Sequence, residues 1–365
     1  MGISTLVVSD IDRFVGMRDF WDRQLMDRVD NPFSSGSLMI EHWKLGLRLG
    51  DHPFLIIFLL DDEIVGFAPL TMRSKFGFRQ VSSLHTFIYP EFFHDDIREA
   101  CLEEMVDYLF GRLNCKSVEL TFKENSLNQN VLEKVCNKKG FTYSSFPEEG
   151  EAIISINNSF ESYQKSLGCK VRKKFRKARK KVVGSWEIYD SKFDSNSIKK
   201  IWEVEKHSWK NDLSGRDKAV KNWGLVIILE AVKQNGEGEP FFDSEVWFLD
   251  LDKITISYQL VLKRNGKAFF LKTSYDSRFK KIYPGKFLIN ELIERIFREQ
   301  TVSEINFITN LPFVNDWKPS VRSRTKVKIE RNTIKSKIQH LLFENRASYK
   351  IVNFFEDLKW KKLHP

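Results

Sequence analysis

The chain has 365 residues, 42% hydrophobic and 30% charged, which excludes a disordered or fibrous protein and calls for two globular domains. Its 59 Lys and Arg against 49 Asp and Glu leave a net charge of +10. That charge suits an anionic partner without naming it: nucleic acid, a phospholipid surface and a phosphorylated small molecule all fit.

The longest uninterrupted apolar run, 54–60, has seven residues, against the 18 to 20 or so needed to cross a bilayer, so no membrane span is expected. The first residues lack the apolar core of a secretion signal and carry Leu6 where myristoylation wants Ser or Thr. Cys101, Cys115, Cys136 and Cys169 are isolated, with no CxxC pair. A reduced, metal-free cytoplasmic protein is the expectation, with peripheral contact at the inner face of the membrane left open by the charge.

In chain order, Asp10 is expected to cap a helix running to about Val29, and Ser37 another running to about Leu49. A strand at 54–60, a turn at Asp61-Asp62-Glu63 and a strand at 64–71 follow. Residues 97–113 carry Cys101, Met105, Leu109 and Leu113 at spacing four, a helix seated on a core, and 117–121 alternates as a strand. The second half repeats this order: strand 246–251, turn Asp252-Lys253, strands 254–262 and 268–275, helix 285–299, strand 304–308. An offset of 190 sets Phe58, Leu59, Asp62, Ile64 and Leu70 over Phe248, Leu249, Asp252, Ile254 and Leu260. An offset of 187 sets Val106, Leu109 and Phe110 over Ile293, Ile296 and Phe297. The reading is two copies of one α/β (α+β) module, at 1–150 and 151–332, with a helical tail at 333–365.

From Lys170 to Lys181, nine of twelve residues are Lys or Arg, while Leu167, Val171, Phe175, Ala178 and Val182 recur at spacings of four, four, three and four. This predicts an amphipathic helix with one seated stripe and a cationic outer face. It could grip nucleic-acid phosphates, lie on anionic lipid, guide a phosphorylated ligand, or be a solvated face. The absence of a zinc-finger, RRM or KH signature argues against nucleic acid.

The stretch Tyr275-Asp276-Ser277-Arg278-Phe279-Lys280-Lys281-Ile282-Tyr283-Pro284-Gly285-Lys286-Phe287-Leu288 reads as a strand end, a basic loop and a helix start. Proline suits a first helical turn, and glycine allows close approach of a ligand to the backbone. The N–H groups of Gly285, Lys286, Phe287 and Leu288, with Arg278, Lys280 and Lys281 beside them, are expected to form an anion site for a diphosphate. The first copy has Asp95-Asp96-Ile97-Arg98 at the corresponding start, and its two carboxylates would repel such a guest.

This order of strand, basic loop, Pro284-Gly285, amphipathic helix and strand resembles the acyl-CoA site of the GNAT N-acetyltransferase superfamily. With 160–167, the Arg/Lys helix, Tyr275-Asp276, Trp317-Lys318, Trp43 and Ala68-Pro69-Leu70, the chain resembles the bacterial cellulose-biosynthesis-type group. Members of that group carry two tandem GNAT-like domains. The resemblance implies largely antiparallel sheets flanked by helices, and acetyl-CoA or another acyl-CoA as co-substrate without a metal. It implies an amine acceptor that attacks the thioester directly, and Trp317 and Lys318 near the substrate. Two departures stand out: the usual phosphate loop is reduced to Ile282-Tyr283-Pro284-Gly285, and Trp317 replaces a tyrosine that could protonate the leaving thiolate.

An amine nucleophile must lose a proton. Glu203, Glu205 and His207 lie on an expected helix at 197–210, and Tyr258 and Tyr275 on strands beside the proposed pantetheine arm. Glu205 is the expected base and Tyr275 a polar wall or proton donor. The main expectation is an acyl-CoA-dependent N-acyltransferase acting on an amine of a sugar, polyamine or cell-envelope precursor. The alternatives are a Fem-type transferase using aminoacyl-tRNA and a non-catalytic protein binding anions or a membrane surface.

Overall fold

The computed structural model describes residues 3–75, 78–85, 88–124, 126–181, 184–208, 215–236 and 239–332. The expected helical tail at 333–365 lies outside them. In chain order the elements are β1 (Ser4–Val8), α1 (Ile11–Leu25), α2 (Gly36–Arg48), β2 (His52–Leu60), β3 (Glu63–Lys75), β4 (Phe78–Ser83), β5 (Glu91–Phe92), α3 (Arg98–Val106), β6 (Ser117–Lys123), α4 (Leu127–Lys138) and β7 (Phe141–Ser155). Then come α5 (Phe160–Ser166), α6 (Cys169–Lys181), β8 (Trp186–Ser191), α7 (Ser195–Lys206), α8 (Gly215–Asn235), β9 (Asp243–Leu251), β10 (Ile254–Arg264), β11 (Lys267–Tyr275), α9 (Pro284–Glu299), β12 (Glu304–Asn306) and β13 (Ser320–Arg331).

The chain divides into two compact units. One takes the residues up to Gln24, Met39–Glu148 and those from Ser323; the other takes Leu25–Leu38 and Glu149–Arg322. The short segment Leu25–Leu38 thus sits in the unit its place in the chain does not suggest. In the first unit the strands run in the order β1-β2-β3-β4-β6-β13, with β5 beside β3, and β4 and β6 are parallel. In the second they run β7-β12-β11-β10-β9-β8, with β11 and β12 parallel. Each is a mixed, largely antiparallel sheet flanked by helices, one architecture used twice.

Several boundaries differ from the sequence reading. Helix α1 stops at Leu25, not Val29. The N-cap of α2 is Ser35, whose Oγ accepts the Leu38 N–H at 3.3 Å, so Ser37 lies inside the first turn. The helix expected over 97–113 is α-helical to Val106 and then widens into a π-helical turn, Asp107–Arg112. Helix α7 is capped by Asp194, whose carboxylate accepts the Ser197 N–H at 2.7 Å, and it ends at Lys206.

The hairpin repeat needs an offset of 191, not 190. Both hairpins close on two residues with positive φ, Asp61-Asp62 and Asp252-Lys253, the signature of a tight turn matched to strand twist. Both carry a one-residue bulge at the same distance from the turn: Phe58 and Leu59 face Gly66 and Ile64, and Leu249 and Asp250 face Ser257 and Thr255. A one-residue slip would exchange sheet faces. Phe58 packs in a cluster with Cys101, Met105 and Leu109 of α3 and the turn after it. The residue 190 further on, Phe248, packs against Ile201 and Val204 of α7, whereas Leu249 packs with Leu288 and Ile293 of α9. Beyond the hairpin the offset becomes 187: Val81 pairs with Val118 as Ala268 pairs with Ile305.

The second sheet is covered on both faces. On one lie Trp247, Leu249, Val261 and Phe270 against Leu288, Leu292 and Ile293 of α9. On the other lie Val246, Phe248, Tyr258 and Leu260 against Ile201, Val204 and Leu225 of α7 and α8. That division decides where the functional side chains point.

Candidate functional site

Strand β11 ends at Tyr275, and the Asp276 N–H donates to the Ile256 carbonyl at 2.9 Å. The buried Asp276 carboxylate then accepts the Arg278 N–H at 2.9 Å and starts a 3-10 turn, Ser277–Ile282. Tyr283 takes a left-handed conformation (φ 55°) that turns the chain into α9 with Pro284 in its first turn. The Phe287 N–H bonds back to the Tyr283 carbonyl at 3.0 Å, so it belongs to the helix. First-turn N–H groups therefore come from Gly285 and Lys286 rather than from four residues. Gly285 is buried, and a Cβ on it would lie 3.4 Å from the Tyr275 ring and 3.7 Å from Thr273 Oγ1. The absent side chain lets the helix start lie against the end of β11.

The basic side chains are less available than the sequence suggested. Arg278 forks onto Asp276, with Nη2 to Oδ2 at 2.6 Å. Burial works against ionisation of Asp276, but the hydrogen bonds and charge of Arg278 more than offset it and hold that carboxyl below its ordinary range. Lys286 is paired with Asp316 at 2.5 Å. Lys280 and Lys281 are exposed. Phe287 and Leu288 bury their side chains in the core on α9 and can offer a ligand only backbone.

Glu205 lies on the opposite face. It is 7% exposed; one carboxylate oxygen accepts the Tyr258 hydroxyl, and the other accepts Ser208 Oγ at 3.1 Å. Tyr258 is fully buried; desolvation, then the Glu205 charge, raises its pKa well above the ordinary value, so its hydroxyl keeps its proton and donates. Tyr258 sits opposite Ser274 in the ladder, and Ser257 opposite Tyr275. Strand alternation therefore sends Tyr258 and Ser274 toward α7, and Tyr275 toward Gly285 and α9. The structure pairs Glu205 with Tyr258, not with Tyr275. Glu203 is an exposed residue paired with Lys206, and His207 ends α7, its carbonyl accepting the Ser277 N–H at 2.8 Å.

Trp317 is a core residue. It is 0% exposed, lies between Phe175 and Phe307 with ring centroids 5.8 and 5.9 Å away, and its carbonyl accepts the Tyr163 hydroxyl at 2.7 Å. Its indole therefore has no surface to present to a substrate. Lys318 Nζ donates to the Ser166 carbonyl at 2.9 Å. Sequence reasoning missed Tyr163, Ser208, Asp276 and Asp316 as partners. Only Asp276, set just before a basic loop, carried a local signal.

In the first unit the counterpart of Gly285 is Arg98. Its side chain is buried and donates to Asp95 at 2.5 Å, whereas the second unit has no side chain at this position. The continuous β11 is there divided into β4 and β5, and Phe67 stands where Tyr258 would be. Among the described residues no group of His, Cys, Asp and Glu could hold a metal ion, and no helix is long and apolar enough to cross a membrane.

Residues 169–318, which contain every one of these second-unit elements from α6 to the turn at Trp317, match the family described as an acetyltransferase (GNAT) domain. The matched segment is a GNAT-type acyltransferase domain. The protein is by class a transferase, and the two-unit fold has solved relatives. FemX superposes with a TM-score of 0.60 at 14% identity, over 94% of this chain and 100% of that one. L-PGS from Bacillus licheniformis does so at 0.53 and 13%, over 94% and 97%. The C-terminal domain (DUF2156) of a putative lysylphosphatidylglycerol synthetase from Agrobacterium fabrum gives 0.52 and 9%, over 90% and 95%. At these identities the likeness is one of fold. No curated protein sequence matches the chain.

Proposed function

We propose that the GNAT domain transfers an acyl group, in the first instance acetyl, from acyl-CoA to an amine of a sugar, polyamine or cell-envelope precursor in the cytoplasm. The observation that carries this reading is the buried Gly285 at the α9 start, tight against Tyr275 at the end of β11. A helix N-terminus with a glycine suits a diphosphate. Here the Gly285 and Lys286 N–H groups would hold it, with Lys280 and Lys281 beside them and Arg278 and Lys286 held in place by Asp276 and Asp316.

Acyl-CoA supplies a thioester carbonyl as electrophile. The amine lone pair forms the C–N bond, the C–S bond breaks, and the amine proton passes to a base. In this reading Glu205 takes that proton, its carboxylate held by the Tyr258 and Ser208 hydroxyls, and Tyr275 protonates the departing thiolate. Donor phosphates lie on the α9 face and the acceptor amine on the α7 face. The resemblance to the cellulose-biosynthesis-type group favours a polysaccharide precursor as acceptor.

The second reading, Fem-type transfer from an aminoacyl-tRNA, is favoured by the superposition on FemX along nearly the whole of both chains. Titration of the purified protein with acetyl-CoA, desulfo-CoA and a long-chain acyl-CoA separates the two. Saturable binding that Gly285→Glu abolishes, with an unchanged circular dichroism spectrum, supports acyl-CoA. Absence of binding by all three moves the donor to an RNA-linked group.

A further inference from the structure

The transfer chemistry leaves helix α6 unused. Its apolar side is seated: Phe175 stacks on Trp317 at 5.8 Å with an interplanar angle of 20°. Its other side carries Lys170, Lys173, Arg176, Lys177, Arg179 and Lys180, all exposed, and the helix contains no acidic residue. Like charges recur at i,i+4, as in Lys173 with Lys177 and Arg176 with Lys180, and each such pair opposes the helix by some tenths of a kcal/mol. The arrangement is kept against its own repulsion.

Five cations elsewhere in this unit are neutralised locally. Lys206 pairs with Glu203, Lys263 with Glu245, Lys267 with Asp30, Lys286 with Asp316 and Arg295 with Glu299. On α6 Arg179 has an acidic neighbour, Glu291 at 3.4 Å. Among the described residues Lys170, Lys173, Arg176, Lys177 and Lys180 form no ion pair. The positive field of this helix is held open.

We propose that the outer half of α6 binds the phosphodiester backbone of a nucleic acid. At about 100° per residue the six exposed cations sweep about half the helix circumference. A grooved polyanion can meet a half-cylinder of charge, whereas a flat bilayer meets only its crest. A helix that lies in a membrane interface also needs an apolar face to insert, and that of α6 is occupied by Trp317. The inference rests on the helix itself and not on the identity of the acyl donor, so its failure leaves the transferase reading in place.

The test uses the full chain and fluorescence anisotropy with a labelled RNA hairpin and a DNA duplex of the same stem sequence, from about 50 to 200 mM salt. Sedimentation with phosphatidylglycerol vesicles runs beside it. Binding that weakens steeply with salt is expected. In the variant K173Q/R176Q/K177Q the slope of log affinity against log salt should shrink by about 2 to 3, close to 0.9 for each phosphate contact removed. A control, R112Q/K134Q/K138Q, removes the same charge from exposed positions of the first unit and should keep the slope. Tighter binding of the hairpin identifies RNA as the partner, and equal binding identifies the backbone shared by both. An unchanged slope in the α6 variant, an equal loss in the control, or capture of vesicles through α6 without capture of either nucleic acid would overturn the proposal.

Discussion

The Arg264 Nε donates a hydrogen bond to the backbone carbonyl of Val29 at 2.7 Å, across 235 residues of sequence. The same guanidinium reaches the carbonyls of Met26 at 2.5 Å and Leu25 at 3.3 Å, bonds the Phe241 carbonyl, and lies 3.5 Å from the centre of the Phe241 ring. Carbonyls left over where α1 ends are thus satisfied by a planar fork from β10, which fixes the segment after α1 within the second unit. Arg264→Leu would strand these acceptors in a buried setting, at about 1–3 kcal/mol for each that water cannot reach. We expect a loss of about 2–4 kcal/mol in urea denaturation, with Arg264→Lys restoring less than half.

Glu205 and Tyr258 act as one unit if the proposed chemistry holds. Glu205→Gln should lower kcat by about 100-fold or more, within the range general-base catalysis supplies, and leave KM for the acyl donor within about threefold. Tyr258→Phe should lower kcat less, and the double variant should be no worse than Glu205→Gln. Additive losses in this cycle would show that the two side chains serve separate purposes.

Trp317 is expected to be structural. Trp317→Phe keeps an aromatic ring between Phe175 and Phe307 and should leave kcat/KM within about threefold. Trp317→Ala should cost about 3–5 kcal/mol of stability, as large core truncations do. A large fall in kcat/KM in the stably folded Phe variant would instead place the indole in the reaction.

In the first unit the His42 and His85 rings lie 4.1 Å apart. Desolvation, then the neighbouring His85, lowers the pKa of His42 well below its ordinary value; desolvation, then Arg324, lowers that of His85 to about 4. Both imidazoles are therefore neutral in the folded state at pH 7. The unfolded chain binds protons at these rings once the pH falls below about 6.5, whereas the folded chain does so only near 4 for His85. Stability from this pair is present in full above about pH 6.5 and declines as the pH falls, by at most about 1.4 kcal/mol per pH unit for each ring. Denaturation between pH 7 and 5 should show this loss, and His85→Gln should flatten it. An unchanged profile in His85→Gln would assign the loss to other groups.

Three buried thiols should be chemically silent. Burial pushes Cys101 up to about 12, Cys115 to about 11 and Cys136 to about 12, so almost no thiolate forms at neutral pH. Iodoacetamide at pH 7.5 should label exposed Cys169 first, and the other three only on unfolding.

Read alone, the sequence determined what local pattern can encode. The tight turns at Asp61-Asp62 and Asp252-Lys253, the repeated order of elements, the amphipathic α6 and the Pro284-Gly285 helix start all follow from turn chemistry, periodicity and the missing N–H of proline. Tertiary structure decided what depends on which side chains meet. The hairpin repeat aligns at 191 because the bulges, invisible in composition, lie at equivalent places and set Phe58 and Leu249 on the same face. Glu205 meets Tyr258 and not Tyr275 because pleating sends neighbouring residues of a strand to opposite faces. The side chains of Lys286 and Trp317 meet Asp316, Phe175 and Phe307, partners distant in the chain that no local pattern shows. Local sequence sets backbone conformation through short-range sterics and hydrogen bonding, whereas burial and charge pairing belong to contacts that exist only once the chain has folded back on itself.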